Sequence, residues 1–75
     1  MNTGKSRVEI FDVELNNYII SSWHKTEDIA IINADVISKS RQTKAQVITN
    51  GNIVYEVGKI NYEKNNNEIG EVING

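Results

Sequence analysis

The sequence has no cysteine and no proline, and only one leucine (Leu15), one tryptophan (Trp23) and one histidine (His24) among its 75 residues. The lack of cysteine excludes a disulfide scaffold, a thiolate zinc site, an iron–sulfur cluster and a thiol nucleophile together. Long apolar runs are missing too. The longest apolar-dominated stretch, residues 29–34, includes Asn33 and falls far short of the roughly 18 residues of a membrane helix. Residues 1–7 are polar and no apolar run follows them, so no signal peptide is expected. Neither sign of charge dominates: eight Lys and Arg against ten Asp and Glu leave a net charge of -2. A nucleic-acid coat usually carries a basic excess. The expectation is a soluble, cytoplasmic protein with no membrane association and no cofactor.

What is abundant is isoleucine (12 residues) and asparagine (11 residues), and lysine outnumbers arginine six to two. Such usage reflects A/T-rich coding and, with the small size, fits an accessory protein of a phage or mobile element. The length allows one domain. A core in a chain this short rarely supplies more than about 3–5 kcal/mol, so either the domain is marginally stable or it buries further surface by self-association.

Residues 1–6 are expected to fray. Residues 7–15 (RVEIFDVEL) interleave Val8, Ile10, Phe11 and Val13 with charged residues, which reads as a strand. The alternation shifts near Ile10 and Phe11, as at a bulge or an edge with two partly buried faces. Asn16-Asn17 signals a turn, and residues 18–23 (YIISSW) read as the second strand of a hairpin.

Residues 26–39 change period. Thr26 is a plausible N-cap, Glu27 and Asp28 suit the first turn, and Lys39 and Arg41 suit the last. Ile29, Ile32 and Val36, with a neighbouring row of Ala30, Asn33 and Ile37, form one broad stripe expected to face the core. The β-branched content also permits a strand over residues 29–32; the capping charges and the spacing favour the helix. Residues 43–49 and 53–57 flank Asn50-Gly51, the strongest short hairpin signal, because both turn residues adopt positive φ.

The expected fold is therefore α+β: a four-stranded antiparallel sheet of two hairpins with one helix packed on one face (ββαββ), spanning residues 7–58. Residues 59–75 read as an acidic, Asn-rich tail, partly disordered or adding one strand around residues 60–63.

Few residues point to chemistry. A lone histidine lacks the partners of a metal site or a triad; His24 reads as a surface residue. The carboxylates are explained by solvated faces and dipole complementation. Gly4-Lys5-Ser6 lacks the upstream glycine and strand of a phosphate loop. No catalytic or metal residue is assigned, and the expected function is a non-enzymatic protein-interaction module that binds a protein partner or forms a homodimer. Its expected contact surface is the uncovered sheet face bearing Tyr18 and Tyr55, with Trp23 at the margin. The alternative is nucleic-acid binding through a basic patch of Lys39, Arg41 and Lys44.

Overall fold

The computed structural model describes residues 4–62. Within them the order is β1 (Ser6–Asp12), β2 (Asn17–His24), α1 (Glu27–Arg41), β3 (Ala45–Thr49) and β4 (Asn52–Val57). The strands form one antiparallel sheet ordered β2-β1-β3-β4, and α1 packs on one side of it. The ββαββ arrangement expected from the hydrophobic pattern is the one observed.

The local chemistry explains the boundaries. β1 stops at Asp12, short of Leu15, because the Asp12 carboxylate accepts the backbone N–H groups of Glu14 and Leu15 at 2.9 and 3.2 Å. That Asx-type turn, with Asn16 at φ 54°, reverses the chain into β2. The second hairpin turns at Asn50 (φ 55°) and Gly51 (φ 80°), the positive values that this dipeptide accommodates. The Thr26 hydroxyl caps α1 by accepting the Ile29 N–H at 3.3 Å. At the other end Gln42 takes the left-handed conformation that commonly terminates helices.

β1 begins at Ser6, inside the segment expected to fray. Ser6 is fully buried and its hydroxyl shares a 2.7 Å hydrogen bond with that of Thr49. The shift of alternation at Ile10 and Phe11 is not a bulge, and β1 is not an edge. Because β1 is central, both neighbours are buried: Ile10 lies in the helix-covered core, while Phe11 meets Tyr18 and Tyr62 on the reverse side. The sheet carries bulges elsewhere. Ser21 is the extra residue where β2 pairs with Val8 and Glu9, and Val54 the extra residue where β4 pairs with Val47 and Ile48.

The core consists of Val8, Ile10, Ala45 and Val47 from the sheet and Ala30 and Ala34 from the helix, flanked by Ile31, Ile37, Tyr55 and Val57. Of the stripe expected to face the core, only Ala30 and Ile37 reach it. Ile29, Ile32 and Val36 are exposed, and the buried row is Ala30, Ala34 and Ser38. Small side chains at that spacing let the helix backbone come close to the sheet. Three β-branched residues in their place would overfill the space already taken by Val8, Ile10 and Val47. Asn33, expected beside Ala30 in the apolar row, is also exposed and donates its side-chain amide to the Ile29 carbonyl at 3.0 Å.

Ser38 does more than fill space. Its hydroxyl donates to the Thr43 carbonyl at 2.7 Å, and the Thr43 hydroxyl donates to the Phe11 carbonyl at 2.9 Å. The helix end is thereby tied to β1. Gly58 lies against this clasp at φ +83°, where an added Cβ would meet the Thr43 carbonyl oxygen at 2.7 Å as well as the Ser38 hydroxyl. Residues 59–62 that follow are irregular, so the expected additional strand is absent from its described part; residues 63–75 lie outside the described residues.

Two glycines with similar φ should therefore differ. Gly51→Ala, with nothing within 4 Å of the new Cβ, is expected to cost about 1–2 kcal/mol, the penalty for an L residue in the left-handed region. Gly58→Ala should cost clearly more, because the clasp must open. Urea midpoints of the two variants check this order.

Candidate functional site

The helix covers one side of the sheet; among the described residues no element covers the other. Strand alternation assigns that open side. Since Val8 and Ile10 face the helix, Arg7, Glu9 and Phe11 face away. The register sets Arg7 between Trp23 and Ile48, and Glu9 between Ile20 and Gln46; Phe11 lies beside Tyr18. Ile53 and Glu56 extend the same face on β4, opposite Ile48 and Gln46.

The bulges decide the composition of this face. Tyr18 and Trp23 are five residues apart, so regular alternation would put them on opposite sides. The extra residue Ser21 brings both to the open face, together with Ile20. In β4 the effect is reversed. Ile53 and Tyr55 would share a side in a regular strand, but the extra residue Val54 turns Ile53 outward and Tyr55 under the helix. Tyr55 lies opposite Val47, packs on the core and donates its hydroxyl to Asp35 of α1 at 2.7 Å. The expected trio is thus divided: Tyr18 and Trp23 share the open face, and Tyr55 belongs to the other.

Aromatic and apolar side chains form the ends of the open face, with a polar row between them. Phe11 meets Tyr18 edge-on at 5.2 Å and Tyr62 at 6.1 Å between ring centroids, geometries that favour the aromatic quadrupoles. At the other end the Arg7 guanidinium lies 5.6 Å from the Trp23 ring centroid, within cation–π range. Between them the Glu9 carboxylate accepts from Arg7 Nε at 2.6 Å and from Gln46 Nε2 at 2.8 Å. Gln46 is only 6% exposed. A desolvated acceptor is costly unless satisfied, and here both carboxylate oxygens are engaged. Lys44 pairs with Glu56 at 2.7 Å. The hydrogen bond to Glu56 is the main reason the Lys44 ammonium holds its proton above the usual lysine range, with Tyr18 adding to it. Around these pairs Ile20, Ile53 and Val54 remain exposed.

Trp23 and His24 point to opposite faces. His24 lies on the helix side, where its Nε2 shares a 2.7 Å hydrogen bond with the Ser22 hydroxyl. The three basic residues of the nucleic-acid alternative do not converge. Lys44 is engaged on the open face, Lys39 lines a cleft with residues 58–62, and Arg41 lines clefts against β1 and β2. Among the described residues no three His, Asp or Glu side chains come together as a metal site, and no helix is long and apolar enough to cross a membrane. Sequence reasoning missed Arg7, Glu9 and Gln46, because their pairing depends on long-range register. It also missed the outward position of Ile29, Ile32 and Val36. The signal for the latter was present in the small residues Ala30, Ala34 and Ser38 at helical spacing.

Comparison with protein-family models, curated proteins and solved structures finds no match to this chain.

The Tyr55–Asp35 contact makes a testable alkaline limb. The bond to Asp35 is the first cause, and burial the second, of a Tyr55 phenol held above its ordinary value. The Lys44 ammonium is shifted in the same direction. In both cases the folded protein binds the proton more tightly than the unfolded chain. Their contribution is complete below the unfolded values, about pH 10, and is lost as pH rises through the folded ones. Ultraviolet titration should show one tyrosine ionising late, absent in Tyr55→Phe and shifted down in Asp35→Asn. Urea midpoints should fall less steeply above pH 10 in Tyr55→Phe than in the parent.

Proposed function

We propose that this protein is a non-enzymatic protein-interaction module that docks an apolar protein surface on its open sheet face, through Tyr18, Ile20, Trp23, Ile53 and Val54. One observation carries this reading. The charged residues of that face, Arg7, Glu9, Lys44 and Glu56, are paired among themselves, while Ile20, Ile53 and Val54 are left exposed around them. A face whose charges are internally neutralised has little to offer a phosphate backbone. It offers apolar area with a fixed pattern of polar pairs, the composition of a protein contact with aromatic anchors. The divergence of Lys39, Arg41 and Lys44 lowers the nucleic-acid alternative. A cytoplasmic site of action, which rests on the lack of cysteine, and a phage or mobile-element origin, which rests on residue usage, belong to the same proposal.

A photo-cross-linking residue at Ile53, introduced in the cell that produces the protein, tests this. The expected result is one discrete, nuclease-resistant adduct that is lost in the Ile20→Lys background. The same residue at Glu14, exposed in the turn between β1 and β2 and on neither the open face nor α1, should give no such adduct. A nuclease-sensitive adduct, or equal labelling from both positions, overturns the reading. So does binding of a mixed-sequence oligonucleotide that weakens steeply with added salt.

A further inference from the structure

We infer that α1 pairs with α1 of a second copy of this chain, antiparallel, about a two-fold axis close to Ile32. The inference concerns a different surface from the open sheet face and stands independently of it.

α1 is apolar on two opposite sides. Ala30, Ala34 and Ser38 are spent on the sheet. Ile29, Ile32 and Val36 project from the far side, 46%, 62% and 62% exposed. A helix with an apolar stripe toward its core normally shows polar residues on the opposite face. The outer residues are spaced three and four apart, the interval at which residues form a seam with a second helix.

The seam is self-complementary. With an axis near Ile32, Ile32 meets the partner's Ile32 and Ile29 meets the partner's Val36. The flanking charges select the direction. At about 3.6 residues per turn, Asp28, Asp35 and Lys39 lie along one flank of the stripe, and Asn33 and Ser40 along the other. A two-fold axis relating antiparallel helices brings like flanks together, so Asp28 lies nearly level with the partner's Asp35 and about one turn short of the partner's Lys39, whose long side chain, four residues on from its own Asp35, spans that turn and stands between the two carboxylates. A parallel pair would instead bring the charged flank against the uncharged one. The antiparallel order also sets the acidic first turn, Glu27 and Asp28, near the partner's basic last turn and opposes the two helix dipoles.

The sheet offers a poorer route to a dimer. Its outer strands, β2 and β4, each carry a bulge, at Ser21 and Val54, and bulged edges resist strand-to-strand pairing. In the helix-paired dimer the sheets lie outside the two helices, so both open faces stay free and point away from each other.

The contact is short and lies at the weak end of interface sizes. Sedimentation equilibrium from about 10 μM to about 1 mM covers the range where such contacts exchange. The parent should move from monomer to dimer within that range. Ile32→Lys should stay monomeric with an unchanged circular dichroism spectrum, since the side chain is exposed. Lys39→Asp, which leaves only carboxylates on that flank, should weaken association roughly tenfold, and adding Asp28→Lys should restore it. Because the chain has no cysteine, orientation can be read by oxidation. An equimolar mixture of Ile29→Cys and Val36→Cys should cross-link mainly to each other. Predominant self-cross-linking of each variant overturns the antiparallel pair. A parent that is monomeric at about 1 mM overturns the inference, as does association lost in Ile20→Lys but kept in Ile32→Lys. If Ile32→Lys is monomeric yet still gives the Ile53 adduct, the two surfaces are separate and both proposals stand.

Discussion

The close seat of α1 on the sheet governs the rest of the molecule. Ala30 and Ala34 have no exposed surface and lie against Val8, Ile10, Ala45 and Val47, which fill the helix-facing side of the central strands. With the helix backbone so near, only small side chains fit beneath it, and the larger Ile31 and Ile37 settle at the margins. This arrangement orients α1. Once the small row faces inward, Ile29, Ile32 and Val36 must face water. A thin core and an apolar outer helix surface are therefore two consequences of one packing choice. The clasp from Ser38 through Thr43 to Phe11 holds the helix end in the register that this packing requires.

The reverse side of the sheet follows a different logic. Its interior is not filled by a second layer but by paired polar groups: Glu9 between Arg7 and Gln46, and Lys44 with Glu56. Salt bridges of this kind contribute little to stability on their own, because desolvation offsets much of the Coulombic gain. Their effect is on specificity, since a register slip in β1 or β3 would separate Glu9 from Gln46. The same pairs leave the face without loose charge, so whatever contacts it must be recognised by shape and apolar area. Outer helix and open sheet thus present two separate apolar surfaces on opposite sides of a small protein.

Much of the local structure was legible in the chain. Thr26, Glu27 and Asp28 mark the start of α1 and Asn50-Gly51 marks the second turn, because capping and positive φ are chemistry of a few adjacent residues. The order β–β–α–β–β follows from the change of hydrophobic period. The candidate site was legible only in part. Tyr18 and Trp23 do share the open face, but through the bulge at Ser21, and Tyr55 is turned away by the bulge at Val54. A one-residue insertion in a ladder inverts every side chain beyond it, and neither Ser21 nor Val54 differs in type from its strand neighbours in a way that announces it.

The primary structure alone specified the element types, the turns, the caps and the antiparallel hairpins, all of which depend on contacts within a few positions. The folded molecule chose which side of α1 is buried, which strand lies at the centre and which face each aromatic residue joins. Those choices depend on how much space remains between layers and on the register between strands as far apart as β1 and β3. Volume and register belong to surfaces in contact, and no single segment carries them.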